Sequence, residues 1–200
     1  IATETLEIYV PIAHHLGLNM LYRELKELAF IHQHPERYRV LKERVFATRD
    51  KRREVLERIY QETKAALPKS NIKARIQGRD RTIYGIYNRM KETHASFSEA
   101  LDIYGFRIIV KTEEDCYLTL CALHKLYKPV HQRFKDFIAV PKTNGYQSLH
   151  TTVIGPNSTP IEFQIRTEKM HRIDENGLLA HWIYNDGTDT TEIQAIITKW

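Results

Sequence analysis

Asp102-Ile-Tyr-Gly-Phe-Arg-Ile-Ile-Val110 is apolar at nearly every position. A strand without clean polar alternation has both faces covered, so this run predicts a central strand in a sheet with helices packed against it. Its neighbours are readable on either side. Ile161-Glu-Phe-Gln-Ile-Arg-Thr167 alternates, with Ile161, Phe163 and Ile165 on one face and Glu162, Gln164 and Arg166 on the other. The turn-rich Gly155-Pro-Asn-Ser-Thr-Pro160 separates it from residues 148–154, which predicts a hairpin with one packed face and one face left for water or chemistry.

Working upstream, Ile72, Ala74 and Ile76 alternate with Lys73, Arg75 and Gln77, a half-buried strand that stops at Gly78. The basic loop Arg79-Asp-Arg81 follows, and Ile83, Ile86, Tyr87 and Met90 then take helical spacing. Strand, glycine, basic loop and helix N-terminus can cradle a phosphate, although the GxxxxGK of a P-loop is missing. Residues 113–127 predict a helix, 137–140 a short strand, 169–184 a final helix and 185–189 a flexible exit. Tyr84, Tyr87 and Tyr104 lie in apolar patterns that suit a core, and Cys116 and Cys121 read as small buried hydrophobes on a helix. Residues 1–67 predict two or three helices with apolar stripes at Leu6, Val10, Ala13 and at Leu21, Leu25, Leu28, interrupted at Pro11, Gly17-Leu-Asn19 and His34-Pro35. Within them, residues 37–67 are rich in Arg, Glu and Lys and read as a long, mostly solvated helix, a spacer between domains.

The 200 residues are 42% hydrophobic and 28% charged, which suits one globular domain with a helical appendage. No charged-then-apolar leader and no run of eighteen apolar residues occurs, so the expectation is an internal piece of a protein with no membrane role. Two cysteines spaced by five fit neither a disulfide framework nor a zinc site, and a reducing cytoplasm is the expected home. His14-His15 and His32-Gln-His34 lack the partners of a metal site and read as surface or packing residues. The formal net charge of +5 is concentrated: residues 69–91 hold seven cations against Asp80, and residues 125–142 hold five against Asp136. Focused positive charge of this kind attracts polyanions.

The second basic stretch opens the densest chemistry of the chain, Arg133-Phe-Lys-Asp-Phe-Ile-Ala-Val-Pro-Lys142-Thr-Asn-Gly-Tyr146-Gln-Ser-Leu-His150-Thr-Thr152. Arg133, Lys135 and Lys142 suit phosphate oxygens, Tyr146 offers a face to a base, and Asn144-Gly145 is a turn that allows close backbone approach. Two carboxylates, Asp102 and Glu162, sit on strands that can be neighbours, the usual means of holding Mg²⁺ on a nucleotide, while either acid alone is equally an exposed strand residue.

Gly78-Arg79, Ile83-Tyr84, Ile86-Tyr87, Asp102-Ile-Tyr, Arg133-Phe-Lys-Asp136, the run from Pro141 to Thr152, Ile161-Glu-Phe-Gln-Ile-Arg-Thr167 and Ala180-His-Trp182 together resemble the synthetase domain of the RelA/SpoT stringent-response family. The resemblance covers roughly residues 70–185. It implies an α+β fold, a mixed β-sheet flanked by helices of the nucleotidyltransferase-like kind, preceded by a helical segment; residues 1–67 would be that segment, following a hydrolase domain, and 68–200 the synthetase domain. It implies transfer of the β,γ-pyrophosphate of ATP to the 3′-hydroxyl of GDP or GTP. Carried over by position, Asp102 and Glu162 would share Mg²⁺, with Glu162 also the base on the 3′-hydroxyl. Arg79, Arg81 and Arg107 would serve ATP. Tyr146 would stack on guanine, with Asn144, His150, Lys135, Lys142, Arg133 and Gln164 around the acceptor nucleotide.

Arg133-Phe-Lys-Asp136 resembles the basic tetrapeptide of the bifunctional long members, which implies an upstream hydrolase domain, downstream regulatory domains and ribosome association through regions outside this chain. Two positions depart from the family pattern: Arg81 stands where Lys is usual and Gly85 where Ser is usual. An arginine fork is not equivalent to a compact ammonium at a tight phosphate site. The alternative reading is therefore a weak or inactive synthetase-like domain that regulates a hydrolase on the same parent. A third reading, a basic RNA- or ribosome-binding domain, fits poorly with an acid at the centre of the polar sheet face.

Overall fold

The computed structural model describes residues 1–47, 49–79, 82–94, 96–97 and 104–176. Among these, β1 (Arg75–Arg79), β2 (Tyr104–Val110), β3 (Lys128–Asp136), β4 (Leu149–Ile154) and β5 (Pro160–Thr167) form one sheet ordered β1-β2-β5-β4-β3. β2 and β5 run parallel and the other neighbours antiparallel. The sheet is mixed, as expected, and its parallel pair lies inside it. In β2, Phe106, Ile108, Ile109 and Val110 are all buried, which is the two-sided cover that the apolar run implies. β4 and β5 form the expected hairpin around the 3₁₀ turn Pro156–Ser158.

One face of the sheet is the core. Phe106, Ile108, Leu149, Val153, Ile161, Phe163 and Ile165 pack there with Cys116 and Leu123 of a helix at Glu113–Leu126 and with Ile59 and Leu67 from upstream. The rings of Phe106 and Phe163 stack at 5.7 Å between centroids. The Glu113–Leu126 helix starts where the sequence says it should, because Thr112 and Asp115 form a reciprocal capping box. It buries Cys116 but leaves Cys121 in solvent, so the expectation that both thiols pack inward holds for Cys116 only. Burial pushes the Cys116 thiol up to about 12.

Numbering helices in chain order, α1 (Ala2–Glu4) passes through a π-helical turn (Thr5–Tyr9) into α2 (Val10–His15), followed by α3 (Asn19–Gln33), α4 (Pro35–Ala47), α5 (Arg49–Ala66), α6 (Ile83–Thr93), α7 (Glu113–Leu126) and α8 (Glu168–Asn176). Pro11 does not interrupt the first stretch. It sits in the opening turn of α2 directly after the π turn, whose wider ring relieves the clash and the missing N–H of proline. The break at His34-Pro35 is real, since the residue before proline is steered out of the helical region. α4 and α5 occupy the stretch read as one solvated helix. α5 also packs against the sheet domain: Ile59 is fully buried, and Tyr127 donates a 2.6 Å hydrogen bond to Glu62. In α3 the leucine stripe is not the packed face: Leu21 and Leu28 are 45% and 47% exposed, whereas Ala29 and Phe30 are buried. Phe30 stacks on Tyr87 and meets Tyr84 edge-on, which draws α3 against α6 and places both tyrosines in the expected packing role.

Three boundaries move. β1 begins at Arg75 and continues through Gly78 to Arg79. Residues 137–140 form a turn, because the Asp136 carboxylate accepts the N–H groups of Ile138 and Ala139, both at 2.9 Å, and closes the strand that precedes it. That strand is β3, which was legible only as a run of charge; it is almost wholly exposed, contains Pro129 and shifts register between Pro129 and Phe134. The last expected helix is described as α8, while the tail through Tyr184, the exit at 185–189 and the Tyr104 side chain lie outside what the structure describes.

Candidate functional site

Alternation along β5 turns Glu162, Gln164 and Arg166 away from the core. The register places Gly105 and Thr152 beside Glu162, and Arg107 and His150 beside Gln164. β1 adds Arg79 opposite Gly105, and β3 adds Lys135 opposite His150. Arg79 Nη1 reaches Glu162 Oε1 at 3.5 Å, and Gln164 Nε2 donates to the same oxygen at 3.4 Å. Gly105 makes this reach possible: a Cβ there would stand 3.1 Å from the Arg79 carbonyl oxygen and 3.3 Å from Arg79 Cβ.

Several of the residues expected around the acceptor gather above the same face. The Gly145 N–H donates to the Lys142 carbonyl at 2.9 Å, Gly145 takes φ 74°, and the Tyr146 N–H donates to Asn144 Oδ1 at 3.3 Å. This is the tight Asn-Gly turn expected of the motif. It delivers Tyr146 to His150, with the hydroxyl 2.7 Å from Nε2. Burial lowers His150 to about 4, opposed by the Glu162 carboxylate and reinforced by Arg79, Lys142 and Arg166. Burial likewise raises the Tyr146 phenol. Both groups are therefore neutral near pH 7, and the contact is a hydrogen bond rather than an ion pair. Lys142 Nζ stands 5.3 Å from the Tyr146 ring centroid and 4.7 Å from that of Phe137, so one ring face is already occupied by a cation. Arg133 and Lys135 are solvent-exposed on β3.

Two expected positions, Asp102 and Arg81, lie outside the described residues, as do His181 and Trp182. Arg107 is turned toward α8, where it donates to Glu175 at 3.0 Å and lies 3.8 Å from Asp174. Burial, then the neighbouring Arg166, lowers its guanidinium from the ordinary value. Arg166, fully buried, bonds Asp174, which is also approached by Asn19 at 3.0 Å and Arg23 at 3.8 Å. This ionic knot floors the polar face and ties it to α3. The outward alternation of Arg166 was visible in the sequence, but its acid, eight residues on and past a helix start, was not.

The phosphate cradle expected at the α6 N-terminus is already filled. Thr82 Oγ1 accepts the Gly85 N–H at 3.0 Å, and the Glu27 carboxylate accepts the N–H groups of Ile83 and Tyr84 at 3.2 and 2.9 Å. What remains open is a cleft of about 460 Å³ between α3 and α6, reaching Arg79. No group of three or more His, Cys, Asp or Glu side chains among the described residues is placed to hold a metal ion, and no described helix is long and apolar enough to cross a membrane.

The mixed five-stranded sheet and its flanking helices share the fold of solved small alarmone synthetases. Small alarmone synthetase 1 from Bacillus subtilis superposes with a TM-score of 0.52 at 21% identity, covering 68% of this chain and 77% of that one. A second structure of that protein, bound to its product pppGpp, gives 0.52 at 20% identity, over 74% and 84%. The chain belongs to the RelA/SpoT family: the family model described as "Region found in RelA / SpoT proteins" matches residues 78–189. Among curated relatives, the chain is 48% identical over its whole length to a guanosine-3′,5′-bis(diphosphate) 3′-pyrophosphohydrolase of Haemophilus influenzae, covering 30% of that protein. It is 46% identical to the bifunctional (p)ppGpp synthase/hydrolase SpoT of Escherichia coli K12 and 41% to a GTP pyrophosphokinase of Myxococcus xanthus, covering all of this chain but 29% and 26% of theirs. The chain thus spans less than a third of the length of these relatives.

Proposed function

We propose that the chain contributes a (p)ppGpp synthetase domain, residues 68–200, and the helical segment before it, residues 1–67, to a longer SpoT/Rel-like protein that also carries a hydrolase domain upstream and regulatory domains downstream. ATP would be the pyrophosphate donor and GDP or GTP the acceptor. The observation that carries this is the convergence on one sheet face of Glu162, Arg79 and Gln164 with the neutral Tyr146–His150 pair.

The reaction asks for positioning and charge neutralisation. The acceptor's 3′-oxygen attacks the β-phosphorus of ATP, the bond from that phosphorus to the α-phosphate oxygen breaks, and AMP leaves. Glu162 would take the 3′-hydroxyl proton, a role supported by the contacts of Arg79 and Gln164 to its Oε1. Tyr146 supplies the guanine platform once Lys142 swings from its ring onto acceptor phosphates, with Lys135, Arg133, Asn144 and His150 around it. Glu162, half-buried on the polar face, would hold Mg²⁺, which accepts one or two carboxylates with phosphates and water, and Asp102 would be the second acid. Bound there, the ion would supply charge neutralisation on the donor phosphates. Mg²⁺-dependent formation of (p)ppGpp from ATP and GDP or GTP is the test, and it should fall by about 10²–10⁴-fold in Glu162→Gln. A wild-type chain that makes no product at any Mg²⁺ concentration rejects the synthetase reading.

One observation favours the second reading, a synthetase-like regulator of the hydrolase. A Cβ at Gly85 would meet Thr82 Oγ1 at 3.1 Å, so the α6 cap has closed over the position where the family usually keeps a serine. Under that reading Arg81→Lys with Gly85→Ser restores synthesis, and deleting residues 68–200 from the parent protein alters its hydrolysis.

A further inference from the structure

We infer that helix α3, which lies in the segment ahead of the synthetase domain, forms a working wall of the donor-nucleotide site, with Lys26 as a direct contact to the donor triphosphate and Glu27 as a positioning residue for α6. The inference rests on the donor-side reading of Arg79 and extends it to a segment outside the nucleotide-handling motifs.

The argument begins with supply and demand of donors. A triphosphate needs several N–H groups or cations, and a helix N-terminus is the cheapest source. Here the first amides of α6 are spoken for by Thr82 and Glu27. The phosphates must then be held by side chains. The open cleft, which reaches Arg79, offers cations from both walls, Arg79 and Arg89 from the synthetase side and Arg23 and Lys26 from α3, against one acid, Glu92. Its volume, about 460 Å³, lies within the range of small-ligand sites.

Lys26 is the best placed of the α3 pair. Arg23 is drawn toward Asp174, whereas Lys26 Nζ is 4.4 Å from the Tyr22 ring centroid and 4.8 Å from that of Tyr84, and donates to the Tyr22 hydroxyl at 2.7 Å. Two aromatic rings hold an ammonium at a fixed place while leaving two of its three N–H donors for a ligand. The adjacent Glu27 does something different. Its two oxygens span from α3 to consecutive amides of α6, fixing the turn that carries Thr82 and Gly85 against the cleft. A cap supplied by another helix makes the orientation of α6 depend on where α3 stands.

The test is calorimetric titration of the 200-residue chain with α,β-methylene-ATP, in which the scissile bond is blocked, and separately with GDP. Lys26→Ala should weaken the ATP analogue about tenfold with GDP unchanged, and Lys26→Arg should recover most of that loss. Glu27→Ala should weaken the analogue by a similar factor, and Glu27→Asp less. Arg79→Ala reports on the parent reading. If Arg79→Ala weakens the analogue while Lys26→Ala and Glu27→Ala leave it within twofold, α3 is no part of the site and the inference fails alone. If Arg79→Ala also has no effect, or the wild-type chain does not bind the analogue, the donor-side reading falls with it. Equal weakening of GDP and analogue, or a lowered melting temperature with both affinities intact, marks a purely structural α3 and overturns the inference.

Discussion

Removing the Asp174 carboxylate should be the most damaging single change to this fold. Arg166 has 0% side-chain exposure and Asp174 3%, so their mutual attraction is what offsets two desolvated charges. Asp174→Ala strands the Arg166 guanidinium, cuts the 3.0 Å bond from Asn19 and removes one of the two acids beside Arg107, leaving Glu175 to serve Arg107 at 3.0 Å and Arg166 at 3.9 Å. Breaking a buried pair from one side costs about 3–5 kcal/mol. For a chain of this size that is a fall of about 6–20 °C in Tm, at roughly 2–4 °C per kcal/mol. Urea titration followed by circular dichroism measures it. The companion variant, Arg166→Met with Asp174→Leu, should regain most of the loss, because an apolar pair of similar volume carries no stranded charge. A loss below about 1 kcal/mol in Asp174→Ala, or a double variant no better than the single one, would refute the claim that charge burial sets the stability here.

Stability should also fall on acidification between pH 6.5 and about 4, the unfolded and folded values of His150: the unfolded chain takes up the proton first, so the folded state loses ground as pH drops. His14, His124 and His171 are lowered in the same direction, so His150→Gln should flatten the acid limb of a Tm-against-pH plot without abolishing it; an unchanged slope removes His150 as a contributor. Gly105→Ala forces a Cβ against the backbone of Arg79 and should cost about 1–3 kcal/mol in denaturant titration, with weaker ATP-analogue binding because Arg79 is displaced; a neutral result would mean that β1 can slide. Tyr146→Ala should weaken GDP by about 1–3 kcal/mol through lost stacking, while Tyr146→Phe, which loses the hydroxyl's bond to His150 but keeps the ring, should keep most of the affinity; equal losses would shift the role from ring to hydroxyl.

Residues 102–110 and 161–167 declared the sheet because their patterns come from burial, and burial is what strands share with sequence. The polar face was legible for the same reason: alternation alone separates Glu162, Gln164 and Arg166 from Ile161, Phe163 and Ile165. β3 was not, since an exposed outer strand has no apolar period to show, and its nine residues read only as charge. The turn at 137–140 looked like a strand from its composition, and a single carboxylate at Asp136 decided otherwise. Contacts across distant sequence were the least visible. Glu27 gives no local hint that its partners are the amides of Ile83 and Tyr84, and the packed face of α3 runs through Ala29 and Phe30 rather than along the more obvious leucines.

The outer position of β3 has a practical side. Lys128, Arg133 and Lys135, with Pro129 and a register shift between them and Gln132 at φ 62°, make the flank that pairs with no other strand among the described residues a poor template for another molecule's backbone. The cations that would draw in an acceptor nucleotide thus also keep copies of the protein from joining sheet to sheet. Neutralising them to probe guanine-nucleotide binding strips away that protection, and a variant that loses activity by clumping would imitate one that has lost its ligand.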